Sequence, residues 1–145
     1  MKGLLKDTKV DVKLRLAALW ASLMSLYIYC DYFDMKTPGT IENFVELKTP
    51  VGEVTPRLLL IFSLILIVPA LMIGLSTLMR PVINKWANII VATIWSSMSF
   101  IILFWDLMDF NPWYMFYDLY QVVEIVVLIL IVRTAWKWPR VTPNT

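Results

Sequence analysis

Histidine is absent from the 145 residues, and cysteine occurs once, at Cys30. The chain therefore lacks the commonest general base, the commonest zinc and haem ligand, and the only side chain that ordinarily titrates near neutrality. A single cysteine forbids an intrachain disulfide and says nothing of redox compartment; its simplest reading is a small apolar packing residue. Only four glycines are present, none in a phosphate-cradling run. Neither charge is in great surplus: 13 Lys and Arg face 11 Asp and Glu, a net charge of +2. The basic residues scatter around helix ends instead of forming one patch, which argues against nucleic acid as a partner. No nucleophile and base pair and no metal motif of diagnostic spacing occurs, so the chain is expected to be no enzyme and to hold no metal or cofactor.

What is present in excess is hydrocarbon. The composition is 59% hydrophobic and the mean hydropathy is +0.70, against about 45–50% apolar residues in soluble domains. A chain this short cannot bury so much apolar surface within itself, so the expected partner is the lipid bilayer. The fold class predicted is all-α, a four-helix transmembrane bundle forming one domain over residues 1–145, with spans at about 14–33, 57–79, 86–107 and 113–136.

The first span follows a polar segment and could be mistaken for a signal peptide, but no small-residue cleavage site follows it, so it is read as a retained helix. Arg15 near its start can snorkel to the headgroups. The second contains 22 residues, Leu58 to Met79, without a charge, enough to cross a core of roughly 30 Å. Pro69 is expected to kink it, and the Ala70-x-x-x-Gly74 spacing would allow close helix contact. A turn containing Arg80, Pro81 and Lys85 leads to the third span, bracketed by Trp86 and Trp105. The fourth is weakest, because Asp118, Gln121 and Glu124 fall in its first half, but Arg133, Trp136, Lys137 and Trp138 anchor its end.

Counting Lys and Arg by side gives orientation. Five in the N-terminal segment, two in the turn after the second span and three at the C-terminus stand against Lys36, Lys48 and Arg57 on the other face. The positive-inside rule places both termini in the cytoplasm, and most acids fall on the opposite, outer face. The outer connection opens with Pro38-Gly39 and continues with Thr40 as helix N-cap and Ile41, Phe44 and Val45 at helical spacing, which predicts a short interfacial helix.

Two stretches 75 residues apart share a polar skeleton: Trp20, Ser22, Asp31 and Asp34 recur as Trp95, Ser97, Asp106 and Asp109. Eleven residues are three helical turns, so Trp and the first Asp share a face in each copy, whereas the serines point away. A parallel duplication of a helix pair would produce this match; so would two helices that each need aromatic and acidic residues at interfaces. If the first and third spans are neighbours or diagonal partners, the aspartates gather at the outer mouth. There they form a solvated acidic rim, with Asp34, Asp109 and Asp118 as its members, a vestibule that attracts hard cations, or, as the third alternative, an ordered site for Ca²⁺, Mg²⁺ or Mn²⁺.

Glu124 is the strongest single candidate for function. It lies six residues inside the span that Asp118 begins, about 9 Å deep, where an ionisable group costs on the order of 2–3 kcal/mol unless paired or watered. Tyr117, Gln121 and Glu124 share one face at i, i+4 and i+7; Ser96, Ser99 and Asp106 form a comparable stripe on the third span, Tyr27 and Asp31 on the first. One reading is an outward-facing polar cavity in which Glu124, Gln121, Tyr117, Asp31 and Asp106 bind or pass a small cation or amphipathic ligand. The other is an interhelical hydrogen bond from Glu124 to Ser, Tyr or Trp in a non-transporting accessory or structural subunit. Self-association into a homo-oligomer is expected in either case.

The runs Leu19-Trp20, Tyr27-Ile28-Tyr29-Cys30-Asp31, Pro38-Gly39-Thr40-Ile41-Glu42, Asn84-Lys85-Trp86-Ala87-Asn88-Ile89-Ile90 and Ala135-Trp136-Lys137-Trp138-Pro139 span nearly the whole chain. In them the chain resembles a family of small bacterial four-helix membrane proteins of unknown function. The resemblance implies a four-helix fold in the bacterial inner membrane and brings no activity. More distantly, the acids inside the bundle are similar to those of small ligand-binding membrane proteins of the emopamil-binding type. The histidine of their isomerase members is missing here, so that likeness implies at most a binding cavity.

Overall fold

The computed structural model of the chain describes residues 8–49 and 52–139. Lys2, Lys6, Asp7 and Arg140, which entered the charge count by side, lie outside the described residues.

Each long helix begins where a side chain or a proline solves the problem of the unpaired first-turn amides. Helix α1 (Val12–Asp34) is capped by Asp11, whose carboxylate accepts from the Lys13 amide at 2.8 Å. Helix α3 (Pro56–Leu78) is capped by Thr55, which accepts from the Leu58 amide at 3.1 Å. Pro56 stands at its start, where a missing N–H costs nothing. The same device starts α4 (Pro81–Met108). This corrects the expected boundary: the turn after α3 is only Met79 and Arg80, and α4 begins at Pro81, five residues before the expected start at Trp86, with Lys85 inside the helix. A short 3₁₀ turn, Pro112–Tyr114, capped by Asn111 through the Trp113 amide at 3.0 Å, leads into α5 (Met115–Trp136).

The long connection between α1 and α3 holds helix α2 (Thr40–Val45) and a two-residue antiparallel pair, β1 (Lys48–Thr49) with β2 (Gly52–Glu53). The expected short helix is there, but its N-cap is Gly39 and not Thr40. At φ +85° the backbone is in the left-handed region, which glycine enters without a Cβ penalty. Thr40 becomes the first helical residue, with its hydroxyl 2.5 Å from that of Thr37.

Four helices, α1, α3, α4 and α5, are long and apolar enough to cross a membrane. They form the predicted four-helix bundle. Helix α1 packs along both α3 and α5, α4 packs along α5, and α3 meets α4 chiefly near their tight turn. Phe33 near the end of α1 faces Phe116 and Tyr120 near the start of α5, at centroid distances of 6.2 and 6.4 Å, and Lys13 donates to the Thr77 carbonyl at 3.1 Å. Neighbours are therefore antiparallel. The bundle has a turn end, where α3 passes into α4, and a loop end, which carries α2 and the 3₁₀ turn.

The core runs along the axis: Leu16, Trp20 and Leu23 from α1, Met72 from α3, Ala92 from α4, and Leu128, Ile131 and Ala135 from α5. Most of α3, including Leu59, Leu60, Leu64 and Leu71, is exposed, as a lipid-facing helix must be in the absence of lipid. Gly74 is exposed too, and a Cβ placed there would meet nothing within 4 Å. The small-residue spacing of Ala70 and Gly74 thus marks no close helix contact within the chain. Pro69 is fully buried and α3 runs through it as one helix.

Helices α1 and α4, which carry the repeated skeleton, each pack on the helix that a duplicated pair would give them, α3 and α5. Ser22 and Ser97 share a fate, each donating to the carbonyl four residues earlier, to Ala18 at 3.0 Å and to Thr93 at 2.9 Å. The tryptophans and aspartates do not: Trp20 is fully buried and Trp95 only partly, whereas Asp106 is half-buried and Asp31 exposed.

Candidate functional site

Glu124 lies on the inward face of α5, 6% exposed. Its Oε1 accepts two hydrogen bonds from two other helices: the Tyr27 hydroxyl of α1 donates at 2.5 Å and the Ser99 hydroxyl of α4 at 2.7 Å. Three helices therefore meet at one carboxylate oxygen. Interhelical hydrogen bonds of this kind average about 0.6 kcal/mol and reach about 1.7 kcal/mol in membrane proteins. The interhelical reading of Glu124 accordingly describes its bonding, with the partners drawn from the two stripes on the first and third spans. No described residue donates to Oε2.

One turn toward the loop end from Glu124, Gln121 is also 6% exposed, and its Oε1 has no hydrogen-bond partner. Half-buried Tyr117 follows on the same face. Asp118 on α5 and Asp106 on α4 come next, close enough to feel each other's charge, with Oδ1 of Asp118 and Oδ2 of Asp106 buried and unpartnered. A track of acceptor oxygens thus leads from the loop end to Glu124. No lysine or arginine lies among these residues.

The other expected members stand apart. Asp31 is exposed at the end of α1 with Asp34 as its charged neighbour, and Asp34 is tied to Thr37, whose hydroxyl lies 2.8 Å from the Asp34 carbonyl. Asp109 is exposed at the end of α4. Among the described residues no three His, Cys, Asp or Glu side chains come together as metal ligands, so the four aspartates of the repeat divide between helix ends instead of converging. The reason is geometric: α1 and α4 are diagonal in the bundle, and α5, with Tyr117 and Gln121, lies between their ends.

A second polar cluster, at the turn end, escaped the sequence reading. Trp20, Ser76, Asn84 and Asn88 are each 0% exposed. Trp20 Nε1 donates to Asn88 Oδ1 at 2.7 Å, and the Ser76 hydroxyl donates to the same oxygen at 3.3 Å. Asn88 Nδ2 donates to the Asn84 carbonyl at 2.9 Å and to Asn84 Oδ1 at 2.6 Å, and Asn84 Nδ2 donates to the Ser76 carbonyl. Every side-chain nitrogen and oxygen of the set is used. The available signal was two amides at i and i+4 within an apolar stretch, which on a helix share one face.

A groove of about 370 Å³ runs between α4 and α5 toward the turn end, with Thr93, Ser96, Phe100, Ile129 and Arg133 among its walls. Between the two polar clusters the axis is closed by Leu23, Leu128 and the indole of Trp20, all 0% exposed.

No curated protein and no solved structure matches the chain. A family model, described as a family of unknown function (DUF6326), matches residues 4–143. The chain therefore belongs to that family, and the match covers all four long helices.

Proposed function

We propose that the protein binds a small cation, or the ammonium head of an amphipathic ligand, at Glu124, which the ligand reaches from the loop end. One observation carries this reading: Gln121 Oε1, Asp118 Oδ1 and Asp106 Oδ2 are buried acceptors without a donor, arranged along one track that ends at Glu124. Buried acceptors left unpaired cost on the order of 1–3 kcal/mol each. A ligand that lowers this cost has to bring hydrogen-bond donors or positive charge. The apolar layer beyond Glu124 favours a site entered from one side over a continuous passage.

The role is binding and not catalysis, in a bacterial inner membrane with the loop end outward and both termini cytoplasmic, the orientation that the placement of Lys and Arg supports. The alternative, a structural or accessory subunit, draws on the two hydrogen bonds that already occupy Glu124 Oε1 and on the position of the groove away from it.

Purified protein titrated with dodecylammonium and, separately, with K⁺ tests the proposal. Glu124→Gln should weaken binding at least about tenfold, the factor for 1.4 kcal/mol of lost charge interaction, while the helix content and melting of the variant stay near those of the parent. A folded Glu124→Gln protein with unchanged binding of both probes would sink the reading and leave the accessory role.

A further inference from the structure

The groove between α4 and α5 has a composition that the Glu124 site does not use. Its deep walls are hydrocarbon from Phe100, Ile129 and Val132, and its mouth at the turn end carries Arg133 and Lys137. The helical repeat accounts for this division. Ile129, Val132 and Trp136 follow i, i+3 and i+7 on one face of α5, Arg133 and Lys137 flank them one turn apart, and Thr93, Ser96 and Phe100 follow the same spacing on α4. A third cation joins the mouth from α4, because Lys85 Nζ lies 5.4 Å from the ring centroid of Trp136.

Among the described residues these cations have no ion-pair partner. Among the described residues the one ion pair is Lys48 with Glu46, in the long connection at the other end of the bundle. Three positive charges gathered beside an apolar trough call for an anion with a hydrocarbon tail. At the end of a membrane-spanning helix the phosphodiester of a phospholipid lies at this depth. Deeper in the groove, Thr93 and Ser96 make no side-chain hydrogen bond among the described residues, so their hydroxyls are available to a glycerol ester carbonyl. The volume, about 370 Å³, falls in the roughly 300–1,000 Å³ range of small-molecule sites.

The geometry points to a binding site for one anionic phospholipid in the α4–α5 groove, its phosphate held by Arg133, Lys137 and Lys85 and an acyl chain laid against Ile129, Val132 and Phe100. A soluble phosphate would leave the apolar walls unused. A second copy of the chain presenting the same face would bring six cations together. The site is independent of Glu124, which faces the bundle interior.

Native mass spectrometry of the purified protein, loaded with phosphatidylglycerol or phosphatidylcholine of identical chains, tests this. Phosphatidylglycerol adducts should be retained preferentially. The double substitution Arg133→Gln with Lys137→Gln should lower that preference by roughly tenfold or more, given the contribution of each basic residue near an anionic headgroup, without altering phosphatidylcholine retention. The exchange Arg133→Lys with Lys137→Arg should preserve it, and Val132→Trp, which fills the groove, should lower retention of both lipids. Millimolar inorganic phosphate should not displace phosphatidylglycerol. Equal retention of the two lipids, an unchanged preference in the folded double variant, displacement by inorganic phosphate, or a lipid-independent dimer abolished by the same substitutions would each overturn the assignment. Should the double variant fail to fold, Lys137→Gln alone carries the same comparison.

Discussion

Replacing Asn88 by alanine should weaken the bundle more than any other single polar-to-alanine change within it. The side chain makes four contacts: it accepts from Trp20 at 2.7 Å and from Ser76 at 3.3 Å, and it donates to Asn84 at 2.6 and 2.9 Å. The Ser76 contact is long and contributes little, and the bond to the Asn84 carbonyl is local to α4. The principal loss is the indole N–H of Trp20, which is 0% exposed and would have no acceptor. A buried donor left unpaired costs about 1–3 kcal/mol, whereas interhelical hydrogen bonds in membrane proteins average about 0.6 kcal/mol and reach about 1.7. Adding the small void left by the amide, Asn88→Ala should cost about 2 kcal/mol, and the coupling between Trp20→Phe and Asn88→Ala should lie between about 0.6 and 1.7 kcal/mol. Reversible unfolding in mixed micelles, with the exposed Ser97→Ala as reference, measures both. A coupling indistinguishable from zero, with Asn88→Ala no worse than Ser97→Ala, would refute the claim that this network joins α1 to α4.

Tyr27→Phe and Ser99→Ala each remove one donor from Glu124 and should lower stability by about 0.6–1.7 kcal/mol in the same assay. Tyr27→Phe should also change the dodecylammonium affinity, because it frees valence on the carboxylate proposed to bind the probe, and a purely structural Glu124 would show the stability loss alone. Gly39→Ala, at φ +85°, should cost about 1–2 kcal/mol, with Gly39→Asn milder; equal melting of Gly39→Ala and the parent would contradict the left-handed cap. Gly74→Ala should be neutral or stabilising by up to about 1 kcal/mol, because the new methyl meets nothing within 4 Å, and a marked loss of stability would reveal a helix packed there in an oligomer.

Much of the bundle was legible because the bilayer imposes a crude and reliable rule of about 20 apolar residues per crossing. Glu124, Tyr27 and Ser99 could be picked out because each breaks an apolar helix on the face that must turn inward. The same rule misled at α4. Its first turn contains Asn84 and Lys85, so polarity suggested a turn, yet Pro81 at the helix start and two amides bonded inside the bundle make it helix throughout. The choice between Gly39 and Thr40 as cap turned on a backbone torsion, which residue type constrains only loosely. The division of the aspartates was hidden because helix order around the bundle, and hence which helices are diagonal, leaves no trace in hydropathy.

The two polar clusters differ in a way that residue counts do not show. At the turn end, Trp20, Ser76, Asn84 and Asn88 consume one another's donors and acceptors, so the set is complete and acts to fix one arrangement of three helices. At the loop end Oδ2 of Asp106, Oδ1 of Asp118 and Oε1 of Gln121 are buried without a donor, while the hydroxyls of Tyr27 and Ser99 are both taken by Glu124. A cluster built only to hold helices together would gain stability by exchanging one of these carboxylates for an amide or a hydroxyl. The proposed ligand would bring donors or positive charge to these unpaired oxygens, above a fully buried layer of Leu23, Leu128 and Trp20. The closed cluster then serves the open one: by pinning α1 to α4 through Trp20 and Asn88 it sets the spacing at which Tyr27 and Ser99 both reach a single oxygen of Glu124.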